Sequence, residues 1–247
     1  MCLLAILYQS VPDAPLLLAA NREEFFDRPF DPPCVLPGPP RILAGIDLRA
    51  GGTWLGVNQF GLIVAITNRQ MANPPADARS RGQLCRDLLL CSNAEVAASL
   101  ATAELTSGRY AGANYVVADA NSGYLLEHAD EFAKTSLSAG LHLVTNGQPN
   151  DPWDPRQSLA RELFAATPIR SADDFINTAR QVCAHGPEDA TGRTIVVQMA
   201  QRGTVSSTLM ALTTDPAQSV YEFAAGAPDV TPYGNYSSIV RTLLANK

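Results

Sequence analysis

The chain has 247 residues, 46% of them hydrophobic, so it can fill a substantial core as one large domain or two small ones. Its formal net charge is −6 and it has no block of Lys or Arg, which argues against nucleic acid as the main partner. No apolar run approaches the roughly 20 residues of a transmembrane segment, and the N-terminus lacks the positive stretch of a secretory signal. We therefore expect a cytoplasmic protein.

Strands dominate the first third of the chain. Apolar residues 3–8 and 16–20 flank a loop whose two prolines and Asp suit a hairpin. The proline-rich stretch 28–40 cannot form a helix, so we expect a surface excursion there. Residues 51–57 and 61–68 then predict a second hairpin with a short glycine-containing loop.

Helices and strands alternate in blocks through the rest of the chain. Two capping-box patterns, Ser80 with Gln83 and Ser92 with Glu95, introduce the first helices. We expect helices over residues 84–90 and 94–105, after Asp154, after Ser171, and over 237–245. We expect strands over residues 114–119, 124–126, 141–145, 193–199, 204–212 and 220–223.

Short loops between neighbouring strands predict mainly antiparallel sheets, which the helical segments would cover. This order favours a single α+β domain over residues 1–247, with two stacked sheets between helical layers. Phosphate-binding glycine loops and the GxSxG elbow of serine hydrolases do not occur.

The cysteines and histidines give no sign of a metal or cofactor site. The five cysteines include no CxxC pair and no Cys/His cluster with zinc spacing, which fits free thiols in a reducing compartment. The three histidines, His128, His142 and His185, lie far apart in sequence, and we expect them to be structural.

Cys2 is the candidate nucleophile. If Met1 is removed, the chain begins with a thiol and a free α-amino group on one residue, and an N-terminal amine can activate a weak nucleophile. The amine has a pKa of about 7.7–8.0, so part of it is neutral at physiological pH. The alternative is that Cys2 is a small apolar residue of a buried strand.

A polar cluster, Asn21-Arg22-Glu23-Glu24, follows the second strand directly. If the first hairpin forms, this cluster lies beside Cys2. An Arg close to a thiol lowers the thiol pKa, and a carboxylate close to the amine would orient it. The alternative is a solvated turn, since polar loops are common.

Motifs spread over most of the chain resemble the NRDE family, also called the transport and Golgi organisation 2 family. They are Met1-Cys2 opening a strand, LAANREEF at 18–25, Arg28-Pro29, GGTWLG at 51–56, Thr67-Asn68, Thr145-Asn146-Gly147 with Pro152-Trp153, and Arg193-Thr194-Ile195. The resemblance implies an N-terminal-nucleophile hydrolase-like fold, an αββα four-layer sandwich of two mainly antiparallel sheets between helices.

The resemblance also implies roles for individual residues. Cys2 would be the nucleophile, Arg22 would steady its thiolate, and Glu23 would position the amine. Here Glu23 stands where the family has Asp, so Glu24 could serve instead. The remaining implied site residues are Asn68 and Asn146, as donors to an oxyanion, and Arg193, which would hold a substrate carboxylate or support the nucleophile.

Two functions remain open from the sequence. The first is a hydrolase that cleaves a non-peptide C–N bond, such as a linear amide, through an acyl-enzyme on Cys2. The second is a non-catalytic carrier that uses the same pocket for a lipid, an acyl thioester or haem. Either way we expect a small-molecule or apolar ligand, while substrate identity and oligomeric state stay open.

Overall fold

The computed structural model describes residues 2–186 and 193–245. The chain forms two compact units, each built around one sheet. The first contains the residues up to Asp27 and those from Ala139 to Arg241, and the second contains Arg28–Ser138 and the residues from Thr242 onward. The single domain expected over residues 1–247 stays a prediction.

The described elements are mostly strands. The strands are β1 (Leu3–Val11), β2 (Ala14–Phe25), β3 (Phe30–Leu36), β4 (Ile42–Asp47), β5 (Leu55–Asn58), β6 (Ile63–Asn68), β7 (Ala113–Ala118), β8 (Gly123–His128), β9 (Phe132–Ser136), β10 (Gly140–Val144), β11 (Arg202–Leu212), β12 (Val220–Ala224) and β13 (Gly234–Asn235). The helices are α1 (Arg81–Leu88), α2 (Ala94–Leu105), α3 (Pro155–Ala165), α4 (Ala172–Cys183) and α5 (Ser237–Ala245). None of these helices is long and apolar enough to span a membrane.

Both sheets are antiparallel, as expected from the short connections. The sheet of the first unit has the order β10-β1-β2-β11-β12-β13, and that of the second has the order β3-β4-β5-β6-β7-β8-β9. With helices packed on the sheets, the predicted α+β class with two mainly antiparallel sheets is confirmed.

The helix starts follow from local sequence, with one correction. Ser80, Asp154 and Ser171 cap α1, α3 and α4, and each side chain accepts a hydrogen bond from the first turn of its helix. The cap of α2 is Asn93 rather than the predicted Ser92. Both residue types are good caps, so the one-residue difference depends on where the turn enters the helix.

Two further predictions need correction. The proline-rich stretch contains the edge strand β3, which pairs with β4 around a bulge between Asp31 and Cys34. An edge strand tolerates prolines because one side of it needs no N–H donor. Residues 193–199 are not a strand and make only an isolated bridge, Gln198 to Gly203, in the described chain.

The core of the first unit decides which way the residues of β2 face. Alternate side chains of β1 and β2 pack in one core cluster with side chains of α3 and α4. The strand residues include Leu3, Ala5, Leu17 and Ala19, and the helix residues include Leu159, Phe175 and Ile176. Because side chains alternate along a strand, Asn21 and Glu23 continue the series towards the helices, while Arg22 faces the opposite side. The polar cluster at the end of β2 is therefore divided between the two faces of the sheet.

The second unit has its own core. Buried side chains of α1 and α2 pack on the sheet there; the cluster includes Val64, Leu84, Leu88, Ala97, Ala101 and Tyr115. Small residues on α2 let that helix approach the sheet closely.

Candidate active site

Cys2 stands just ahead of β1, beside the end of β2. Leu3 pairs with Asn21 across the two strands, which brings Cys2 next to the polar cluster as the first hairpin predicts. The backbone nitrogen of Cys2 donates a hydrogen bond of 2.6 Å to Oδ1 of Asn146. Removal of Met1, which lies outside the described residues, would turn this nitrogen into the α-amine. The structure therefore gives that nitrogen a side-chain acceptor.

Asn146 lies on the loop between β10 and α3, and the first turn of α3 anchors this loop. Thr145 donates through Oγ1 to Oδ2 of Asp154 at 2.6 Å. Gln157 donates through Nε2 to Thr145 Oγ1 at 2.9 Å and to the carbonyl oxygen of Gln148 at 2.8 Å. The residues on both sides of Asn146 are thus tied to one helix end, which fixes the loop that carries it.

Glu23 lies in a buried ion pair on the helical face of the sheet. Its side chain is 1% exposed, and Oε1 accepts hydrogen bonds from Nη2 of Arg156 at 3.0 Å and Oγ1 of Thr204 at 3.3 Å. Burial raises the pKa of the Glu23 carboxyl to about 7, against the opposing effect of the Arg156 guanidinium and the Thr204 hydroxyl. Glu23 is therefore a carboxyl that titrates near neutral pH.

The Glu23 carboxyl affects the pKa of the Cys2 thiol. Burial of the thiol raises its pKa above the ordinary value, and the charge of Glu23 raises it further. The hydrogen bond from the Glu23 backbone N–H and the positive charge of Arg156 act in the opposite direction. With Met1 attached, the thiol is thus not activated by its surroundings, and a thiolate at neutral pH needs a base at the N-terminus.

Arg156 is the site residue that sequence reasoning missed. It is the second residue of α3, its side chain is 13% exposed, and Nη2 also donates to the carbonyl oxygen of Ile195 at 2.7 Å. Its partner Glu23 is 133 positions away, so no local pattern connects them. Its place in the first helical turn after the Thr145-Asn146-Gly147 loop is the only signal the sequence offers.

Arg22 and Glu24 lie together at the end of β2. Arg22 is buried, and its Nη2 approaches Oε2 of Glu24 at 3.9 Å. Alternation along the strand places both on the face opposite Glu23. Of the two acidic residues, Glu23 is the one whose charge raises the pKa of the Cys2 thiol.

Two implied site residues remain, Arg193 and Asn68. Arg193 forms a two-pronged ion pair with Glu162 of α3, at 3.0 and 2.9 Å. Asn68 is the exposed last residue of β6 and belongs to the second unit. The roles expected for both stay predictions.

The histidines make contacts typical of packed residues. His128 Nε2 lies 3.0 Å from the carbonyl oxygen of Tyr110, and His142 Nδ1 lies 3.3 Å from Nδ2 of Asn150. Within residues 2–186 and 193–245, no group of three or more His, Cys, Asp or Glu could hold a metal ion.

A separate surface cleft of about 450 Å³ lies within the first unit. Its lining includes Arg180 and Glu222, which form a two-pronged ion pair at 2.9 and 2.6 Å, and Tyr233. The Tyr233 hydroxyl lies 2.7 Å from Oγ of Ser207. The lining also includes the apolar residues Ala184, Pro228 and Pro232.

The sequence model of Transport and Golgi organisation 2 matches residues 1–224. A relative from Mus musculus, the Transport and Golgi organization 2 homolog, is 33% identical over 157 residues, covering 60% of this chain and 56% of the relative. The Homo sapiens homolog is 30% identical over 164 residues, covering 63% and 59%. The match thus spans little more than half the length of these relatives.

One solved structure establishes the fold. The Caenorhabditis elegans N-acylethanolamine-hydrolyzing acid amidase ortholog superposes with a TM-score of 0.54 at 14% identity, covering 85% of this chain and 92% of that one. At this identity the likeness shows the fold alone, which is that of the N-terminal-nucleophile hydrolases.

Proposed function

The chain belongs to the Transport and Golgi organisation 2 family, and from that premise we propose that it is a cysteine N-terminal-nucleophile hydrolase acting on a non-peptide C–N bond of a small amide. The observation that carries the proposal is the 2.6 Å hydrogen bond between the Cys2 nitrogen and Asn146 Oδ1. After removal of Met1 the same acceptor would orient the α-amine so that its lone pair points at the thiol.

The reaction begins when the neutral α-amine of processed Cys2 takes the proton of its own thiol. The thiolate attacks the amide carbonyl carbon, and a tetrahedral oxyanion forms. The resulting ammonium gives its proton to the leaving nitrogen, the C–N bond breaks, and an acyl thioester remains on Cys2. Water, deprotonated by the same amine, then attacks the thioester, and the acid leaves as the thiol is restored.

The surrounding residues support these steps. Asn146 holds the amine through Oδ1, and its Nδ2 is the donor that an oxyanion would use; such a donor contributes about 10²–10³ in rate. Asn68 is proposed as the second donor, and Arg193 as the group for a substrate carboxylate. Glu23 supplies the negative charge that stabilises the ammonium formed when the amine takes the proton of the thiol. Arg22 is proposed to steady the Cys2 thiolate.

The substrate class follows from the chemistry of the nucleophile. The fold neighbour is named for hydrolysis of an N-acylethanolamine, which is a linear amide. A thiolate with an attached amine base suits such an amide or an acyl thioester. We further propose that the reaction takes place in the cytoplasm and needs no bound metal or cofactor.

The test compares the processed protein with a variant that carries extra residues ahead of Cys2, so that its nitrogen stays in a peptide bond. Both are incubated with activated amides and thioesters, and intact and peptide mass spectrometry report loss of Met1 and any acyl adduct on the N-terminal peptide. We expect an adduct on processed Cys2 and none on the extended variant or on Cys2→Ala.

Two results would contradict the proposal. Full retention of Met1 in protein made in cells would remove the amine base. Absence of any adduct across the panel, together with equally tight binding of an apolar ligand by the parent and by Cys2→Ala, would replace the hydrolase with the carrier for a lipid, acyl thioester or haem.

A further inference from the structure

We propose that Arg156 is a positioning residue for this site: its guanidinium orients the buried Glu23 carboxyl beside Cys2 and favours its charged form. The inference rests on the proposed function only in taking Cys2 as the reacting group.

The geometry first shows that Arg156 is held in place at both ends. Its backbone nitrogen donates to Oδ1 of the cap residue Asp154 at 2.9 Å. Its Nη2 divides two short hydrogen bonds between Glu23 Oε1 and the carbonyl oxygen of Ile195. A long cationic side chain gains such order only when its head group is bound firmly.

The same helix end also controls the amine. Oδ2 of Asp154 accepts from Thr145, the neighbour of Asn146, while Oδ1 caps the turn that carries Arg156. One helix start therefore sets both the acceptor of the Cys2 nitrogen and the cation that faces Glu23. This shared anchor links the two halves of the site.

Charge explains why a cation is needed at this place. The groups that act on the Glu23 carboxyl are the N-terminal amine, Cys2 ahead of β1, Arg156 of α3, Cys183 of α4 and Thr204 of β11. Burial favours the neutral acid, and an ionised thiol would favour it further. Arg156 is the permanent positive charge in this set, so without it the carboxyl would keep its proton to a higher pH.

The experiment measures the rate of Cys2 alkylation by iodoacetamide from about pH 5.5 to 9.5, read on the N-terminal peptide of the processed protein. The α-amine titrates in the same range, so Glu23→Gln gives the reference profile in which only the amine and thiol remain. The parent should show an additional break, near pH 7, that this reference lacks.

Arg156→Met should move that additional break upward by about 1–3 pH units, the usual effect of an adjacent cation on a carboxyl. Arg156→Lys should keep it close to the parental position, because the charge remains. Arg161→Met, the same change at an exposed arginine of the same helix, should leave the profile unchanged. A folded Arg156→Met protein with the parental profile would overturn the inference.

If Arg156→Met does not fold, the double variant Arg156→Met/Glu23→Gln removes both charges and keeps the test. Its profile, like that of Glu23→Gln, should lack the additional break, and the thiol titration should move upward, because Arg156 also lowers the pKa of the Cys2 thiol directly. An additional break near pH 7 in the double variant would overturn the inference. No substrate is used, so failure of the proposed hydrolysis would appear separately, as lack of an acyl adduct.

Discussion

Replacing Glu23 by Gln should remove a pH-dependent loss of stability that the buried carboxyl imposes on the parent protein. The side chain is 1% exposed, so solvent does not screen it. Burial raises the pKa of this carboxyl from an ordinary 4.5 to about 7 in the folded chain. The folded protein therefore keeps a proton at pH values where the unfolded chain has already released it.

The sign and size of the effect follow from this difference. A pKa that is raised by folding contributes stability that is complete below the unfolded value and is lost as pH rises through the folded value. Since one pKa unit corresponds to about 1.4 kcal/mol, the interval from 4.5 to about 7 amounts to about 3 kcal/mol. About 2 kcal/mol of this should be lost between about pH 5.5 and 8.

The assay is urea unfolding of the parent and of Glu23→Gln at several pH values across that range. Relative to the variant, the parent should become less stable by about 2 kcal/mol as pH rises. The lost partner of Arg156 costs the variant a constant amount, because the guanidinium stays charged throughout. Only the change with pH is therefore compared.

Glu162→Gln is the matched control. Glu162 is exposed, and the hydrogen bond from Arg193 lowers the pKa of its carboxyl, so this group stays ionised over the whole range. Its stability difference from the parent should not change between about pH 5.5 and 8. An equally flat difference for Glu23→Gln would refute the assignment of a carboxyl that titrates near neutrality.

Two further outcomes are expected. Asp154→Ala removes the cap of α3 and should lower the free energy of unfolding in urea by about 1–2 kcal/mol. It should also slow acylation of Cys2, because the loop that carries Asn146 is released. Unchanged acylation would contradict the role of that loop. Asn substitutions at His128, His142 and His185, made singly, should leave Cys2 alkylation and turnover intact, whereas one folded but inactive variant would show that the base has been misassigned.

Local patterns predicted much of the fold. The hairpin of β1 and β2, and the caps at Ser80, Asp154 and Ser171, depend on residues within a few positions of each other. Such signals survive in a single sequence because short-range hydrogen bonds decide them. The bulged edge strand β3 escaped prediction because prolines weigh against any regular element unless its edge position is known.

The candidate site was also predictable from the sequence only where short motifs carry it. Cys2, the Asn21–Glu24 cluster and Asn146 were recognised from short motifs, and the structure joins Cys2 to Asn146 by a hydrogen bond. The pairing of Glu23 with Arg156 rather than with its sequence neighbour Arg22 was not predictable. It depends on the alternation of side chains along β2 and on where α3 packs against the sheet.

The GGTWLG segment packs closely against its neighbours in the second unit. A Cβ atom on Gly52 would run into the backbone of Gly82 at the start of α1, and one on Gly45 would meet the ring of Trp54. The most recognisable stretch of this sequence therefore forms a packing contact between a loop and a helix in the unit that does not carry Cys2. These contacts concern packing alone, so the chemistry of a related chain has to be judged from its second residue and its counterpart of Glu23.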